Sequence, residues 1–320
     1  MEERIVLGVD NTTHCFEQQS LEVNNLCGKV VRRNGYWLGD VNANLFNIEL
    51  PKPSIWLELG EEELIAFCRN HKVTALRPFV STPQWEQFAK QNNLEYLGLP
   101  SDLATMMLRK STFFSYVEKN LEWETLPWGI FKEGEILNKS GYYKPDQGAG
   151  SIQHQAQWEI AQQSMLWQPQ VEVESSPSIQ IIFLKEREYH IMVFDQYMIT
   201  DEKGTGEFEG INFPSKHEEK LLTIGHQFAQ QILNDFFPGT GSLSIDFYEV
   251  DGILYAADPN GREGGASPYR LYIEKLLHLE KPLPSKIIGR QWIPIDQVPQ
   301  GAIPFSYETN GKVCYMDFGF

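Results

Sequence analysis

Short apolar runs alternate with stretches of helical period through the first hundred residues. Residues 4 to 9, Arg-Ile-Val-Leu-Gly-Val, read as an opening strand, and Asp10-Asn11-Thr12-Thr13 as the loop that leaves it. Ile55 to Leu59 is a second short strand. Glu61 to His71 follows with Leu64, Ile65 and Cys68 on one helical face, and Thr74 to Val80 is another strand. Ser81-Thr82-Pro83-Gln84 opens the next helix with a serine cap, a first-turn proline and a glutamine three residues after the serine. That helix buries Trp85, Phe88 and Ala89, ends at Asn93, and returns as a strand over Leu94 to Gly98. Strands separated by helices predict a parallel α/β sheet, so residues 1 to 100 are expected to form a small doubly wound domain.

The pattern then becomes mixed. A helix over Asp102 to Met107 is followed by Arg109-Lys110, which opens a second helix, and Tyr142-Tyr143-Lys144 is a strand ending in a lysine. The loop after it holds Gly148, Gly150 and Ser151, and a helix-like stretch runs from Gln153 to Gln163. Ser178 to Phe183 and Tyr189 to Phe194 read as a hairpin, and residues 200 to 215, polar and glycine-rich, as a surface loop. Ser215 is expected to cap a helix reaching Phe236, with an apolar stripe of Leu221, Ile224, Phe228 and Ile232 and solvated histidines at His217 and His226. A further helix spans Pro268 to Leu279. The tail has strand-like pieces at Ile293 to Ile295 and Val313 to Met316 but no motif.

The most informative stretch is Gly241 to Arg262, two strand-like runs around Asp251-Gly252. Turn length decides its chemistry. A two-residue turn sets Asp246 against Ala257 and leaves Asp246 and Asp258 on opposite faces. A three-residue Val250-Asp251-Gly252 loop sets Glu249 against Ile253 and brings Asp246, Asp258 and Asn260 to one face. Two carboxylates and an amide oxygen would then suit Mg²⁺, which keeps waters and shares itself with substrate phosphates. The alternative is a solvated acidic face.

Composition narrows the partners. The chain has 320 residues with 42% hydrophobic and 22% charged, the profile of a globular protein of one large or several small domains. A net charge of −16 excludes the basic footprint needed for nucleic acid or an anionic membrane. Cys15, Cys27, Cys68 and Cys314 have no paired spacing, and no leader or long apolar run is evident, so a cytoplasmic protein with reduced thiols is expected. The opening strand is not followed by a dinucleotide fingerprint.

Asp246, the turn and Asp258-Pro259-Asn260-Gly261-Arg262 resemble the acid, acid-x-Asn-x-Arg signature of the ATP-grasp superfamily, with aspartate at Asp258 where many members have glutamate. The Lys144-Pro145 strand end and its glycine loop resemble the family's strand lysine and mobile lid. Arg109-Lys110 resembles an Asp-Lys helix start with the acid replaced. The resemblance covers residues 97 to 270, reaches 1 to 96 only by fold pattern, and omits the tail. It implies an ATP-grasp fold with an N-terminal domain at 1–100, a small subdomain at 101–175 and a large subdomain at 176–320. It also implies ATP and Mg²⁺, with Mn²⁺ as a substitute. Lys110, Lys144, Gly148, Gly150 and Ser151 would hold phosphates, Gln170, Val171 or Glu172 would read adenine, Asp246, Asp258 and Asn260 would hold metal, and Arg262 would grip a carboxylate or acyl phosphate. The implied activity is carboxylate-amine ligation on an amino acid or small peptide. A phosphotransferase and a nucleotide-binding module without turnover are the alternatives. The expected partners are small-molecule carboxylates and amines and a second copy in a homodimer, with neither nucleic acid nor membrane.

Overall fold

The computed structural model describes residues 6–9, 29–30, 57–58, 61–70, 72–78, 80–147, 159–200, 206–262, 266–278, 280–298, 303–304 and 312–319. β1 (Val6–Val9) is followed by an antiparallel pair, β2 (Lys29–Val30) and β3 (Leu57–Glu58). Then come α1 (Glu61–Asn70), β4 (Ala75–Pro78), α2 (Pro83–Gln91) and β5 (Glu95–Tyr96). β1, β4 and β5 form a parallel sheet in that order, as expected where helices make the crossovers. Leu64 and Cys68 of α1 and Trp85, Phe88 and Ala89 of α2 pack with Leu76 of β4. The cap of α2 is not Ser81. Thr82 accepts the Trp85 N–H at 3.4 Å and Pro83 takes the first helical position, so the frame starts one residue later than the serine-glutamine spacing implies.

Next are α3 (Ser101–Leu108), α4 (Lys110–Asn120) and the short β6 (Glu124–Thr125). β7 (Gly129–Phe131), β8 (Ile136–Leu137), β9 (Tyr142–Pro145), β10 (Glu159–Ile160) and β11 (Met165–Gln168) make two small antiparallel sheets, β7-β11-β9 and β10-β8. The helix expected over 153–163 is absent where the chain is described. Residues 159 and 160 pair with β8, and Ala161 donates to the Glu135 carbonyl, so sheet pairing overrides the helix propensity of the Gln- and Ala-rich run. Residues 153–158 lie outside the described residues.

The remaining elements are β12 (Pro177–Phe183), β13 (Tyr189–Thr200), β14 (Gly206–Asn212), α5 (Glu218–Asp235), β15 (Gly241–Val250), β16 (Ile253–Asn260), α6 (Ser267–His278), β17 (Lys286–Pro294), β18 (Ile303–Pro304) and β19 (Lys312–Gly319). They join β6 in a nine-stranded sheet ordered β18-β19-β17-β14-β13-β12-β15-β16-β6. The core lies between this sheet and its helices, with Ile179, Ile181, Val193, Leu243, Ile245 and Phe247 packed on Phe228 and Ile232 of α5 and Phe113 and Phe114 of α4.

Two expectations fail here for readable reasons. Residues 206–212, expected as loop, are β14, and Gly210 within it serves close packing. A Cβ at Gly210 would lie 2.0 Å from the Ile287 carbonyl oxygen, so only glycine lets β17 of the tail dock beside it. Ser215 does not cap α5, which starts at Glu218. Its hydroxyl donates to Asp195 at 2.6 Å and accepts the His217 N–H at 3.1 Å. His217 is not solvated either: its Nε2 stands 3.1 Å from the Glu249 carboxylate, which Ser175 and Lys216 also bind. These contacts, led by Lys216, draw the Glu249 carboxyl down to about 2. His226 is exposed beside Tyr189.

Gly241, at φ +121°, lets the start of β15 pass against the Gly98–Leu99 backbone, where a Cβ would meet the Leu99 nitrogen at 2.6 Å. Gly241→Ala is therefore expected to destabilise the fold by more than about 1 kcal/mol in denaturant melts. An unchanged midpoint would contradict the close approach.

Candidate functional site

The hairpin turn has two residues. Asp251 and Gly252 both have positive φ, 51° and 73°, and Val250 pairs with Ile253, which is the mirror-image turn favoured by strand twist. The three-residue loop expected from sequence is thus incorrect, and Glu249 pairs with Leu254. The missing offset appears inside β16 instead. Pairing steps from Phe247 with Ala256 to Asp246 with Asp258, leaving Ala257 as a bulge. The bulge achieves what the longer turn was expected to do: Asp246 faces Asp258, Ser244 faces Asn260, and directly opposed residues share a face.

β12 supports this face. Ser178 Oγ donates to Asp246 Oδ1 at 2.7 Å. Burial, then the neighbouring Asp258 carboxylate, push the Asp246 carboxyl up to about 7. Two cations converge from other elements. Lys110, the first residue of α4 and 1% exposed, places Nζ 3.2 Å from Asp258 Oδ1. Lys144 of β9, 2% exposed, donates from Nζ to the Tyr248 hydroxyl at 3.1 Å. Burial pulls the Lys144 ammonium down. Tyr248, Asp258 and Asp246 more than offset this and leave it above the usual lysine value.

A residue that sequence reasoning missed locks the two lysines together. Asp146, directly after β9, accepts the Ser111 N–H at 2.8 Å and the Ser111 hydroxyl at 2.9 Å, while its carbonyl accepts the Lys110 N–H at 2.8 Å. An acid from the segment after β9 thereby serves the start of α4, where a carboxylate also suits the helix dipole. Arg109, which stands where an acid was expected, lies with its Nε 3.8 Å from Asp146 Oδ2.

Gln168 is the second missed residue. On β11 it pairs with Tyr142 as Leu166 pairs with Lys144, so Gln168 and Lys144 share a face of the small sheet. It is 2% exposed, and neither its Oε1 nor its Nε2 has a hydrogen-bond partner among the described residues. Its signal was a polar residue in an otherwise apolar strand. Gln170 and Glu172 are exposed in the connection after β11, and Val171 is half-buried there. Arg262 Nη2 donates to Asn260 Oδ1 at 2.9 Å, and its backbone bridges to Val80, just after β4. Gly148, Gly150 and Ser151 lie outside the described residues. Among the described residues no cluster of three or more His, Cys, Asp or Glu could hold a metal, and no helix is long and apolar enough to cross a membrane.

The mixed sheets give the chain an ATP-grasp fold, and solved structures carry the same architecture. One is N5-carboxyaminoimidazole ribonucleotide synthetase from Thermus thermophilus, at TM-score 0.57 and 14% identity over 82% of this chain and 81% of that one. The biotin carboxylase domain of Hydrogenobacter thermophilus 2-oxoglutarate carboxylase, in complex with MgADP, ADP and bicarbonate, matches at TM-score 0.59 and 11% identity over 82% of this chain and 74% of that one. Campylobacter jejuni biotin carboxylase, in a β-γ-ATP complex, matches at TM-score 0.59 and 11% identity over 81% and 74%. No protein-family model matches the chain, and no curated protein matches it in sequence.

Proposed function

We propose that the chain is an ATP- and Mg²⁺-dependent ligase that activates a carboxylate as an acyl phosphate and couples it to an amine, with an amino acid or small peptide as substrate. The observation that carries this reading is the convergence of two almost fully buried lysines on a directly opposed aspartate pair. Similar folds that bind ADP and MgADP support it.

The residues fit the ligands tested against them. Asp246, Asp258 and Asn260 are an all-oxygen donor set too small to complete a shell, which suits an ion finished by water and phosphate. Gln168, with donor and acceptor both unpartnered, fits the edge of adenine better than the exposed Gln170 or Glu172. Mg²⁺, when bound by the aspartates, neutralises charge on the phosphates. Lys110 and Lys144 supply point charges to phosphate oxygens, Asp146 holds their spacing, and Arg262 orients the carboxylate through its planar fork.

The Asp246 carboxyl at about 7 gives a pH test. Its folded value is raised, so protonation stabilises the fold, and stability falls as pH rises from the usual carboxylate range towards 7. A metal must displace that proton. Metal-dependent stabilisation in thermal melts with an ATP analogue is expected to be larger at about pH 8 than at about pH 6, with affinity falling up to ~10-fold per unit below the carboxyl's value. Equal shifts at both would contradict the assignment of Asp246.

Calorimetric titration with a β,γ-imido ATP analogue tests the nucleotide site. Binding that weakens at least ~10-fold without Mg²⁺ is expected. No binding in either condition would overturn the reading.

A further inference from the structure

A small, half-open cleft lies between the end of β4, the Leu97–Leu99 segment, the start of β15 and the residues after β16. Arg77, Ser81, Ser242 and Arg262 are its polar and charged lining residues. The chain as a whole carries 43 acidic against 27 basic residues, yet among the described residues none that lines the cleft is acidic. Two arginines, one from β4 and one just after β16, line the same small space, a setting for anions.

Two further observations say which anion. Ser242 is 5% exposed and its hydroxyl has no hydrogen-bond partner among the described residues. A buried hydroxyl in such a wall awaits an acceptor. Ser242 also lies two positions before Ser244, the partner of Asn260, so its row is roughly 7 Å from the Asn260 row along the ribbon. Arg262 is tied to the Asn260 end through its Nη2 contact.

Resting on the ligase reading, we propose that this cleft selects a small dianionic acid about as long as an acidic amino acid. Arg262 takes the carboxylate to be activated. Arg77 and Ser242 take a second anionic group, carboxylate or phosphate. Arg77 is thus a specificity residue outside the metal and nucleotide motifs.

The test compares matched acids at constant ionic strength: glutamate with norvaline, succinate with butyrate, and O-phosphoserine with serine. Mg-ATP-dependent ADP release is measured, and so are melting shifts without nucleotide. Wild type is expected to favour the dianion of at least one pair by roughly ten- to a hundredfold in KM. Arg77→Gln is expected to erase that preference, Arg77→Lys to restore part of it, and Ser242→Ala to weaken the dianion by ~3- to 10-fold. A retained melting shift with the Mg-bound ATP analogue certifies the fold of each variant. Which of glutamate and O-phosphoserine binds more tightly identifies the second anion as carboxylate or phosphate. Dianion shifts that Arg77→Gln abolishes, without ADP release, would uphold the cleft and overturn carboxylate activation. Equal KM within every pair, an Arg77→Gln effect equal on both members, or no response to any dianion would overturn the cleft.

Discussion

Asp258→Asn is expected to lower turnover on the order of a thousandfold while nucleotide binding measured without Mg²⁺ changes far less. Asparagine is the informative substitution because it keeps an oxygen acceptor for Lys110, which is 1% exposed and 3.2 Å away. Alanine would strand that buried ammonium and confound catalysis with folding. The carboxylate also stands opposite Asp246 and is the neighbour that, after burial, raises the Asp246 carboxyl to about 7. In Asp258→Asn that value should fall back towards the usual carboxylate range, and the pH dependence of metal stabilisation should shrink with it. Steady-state rates, Mg²⁺ titrations and the melting profile between about pH 6 and 8 read out the three effects. Unchanged turnover would mean that the aspartate pair is a structural feature of the ribbon.

The second large effect is expected at Lys144. Lys144→Met preserves the aliphatic stem in its buried slot and removes the charge, and should raise the KM for ATP by roughly ten- to a hundredfold with a smaller change in kcat. Tyr248→Phe is the control. The ammonium lies 5.0 Å from the Tyr248 ring centroid and donates to its hydroxyl, so losing the hydroxyl alone removes one hydrogen bond but keeps the charge, and should cost much less. Equal effects from both variants would assign the lysine to packing against the tyrosine. An unchanged ATP KM in Lys144→Met would remove it from the phosphate site.

Residues whose partners are near in sequence were legible. The Asp251-Gly252 turn, the strand ending at Lys144, the helix opened by Lys110 and the apolar stripe of α5 all follow from local pattern. The convergence of Asp246 with Asp258 was anticipated through the wrong device. Nothing in Ala256-Ala257 distinguishes a bulge from regular pairing, because the step in register is set where β15 meets both β12 and β16. Asp146 and Gln168 escaped notice for a related reason. The value of each lies in a long-range neighbour, Ser111 for the first and the Lys144 face for the second. Gly210 of β14 read as loop because close backbone approach and turn flexibility demand the same residue. His217 read as solvated because its partner, Glu249, lies on a distant strand.

ADP release with Mg-ATP and hydroxylamine, across amino acids, dipeptides and small organic acids, tests carboxylate activation most directly. Hydroxylamine intercepts an acyl phosphate whatever the natural amine. The expected result is hydroxamate from at least one acid, formed in proportion to ADP and lost in Asp258→Asn. ADP release without hydroxamate from any acid would contradict carboxylate activation and point to phosphoryl transfer onto another acceptor.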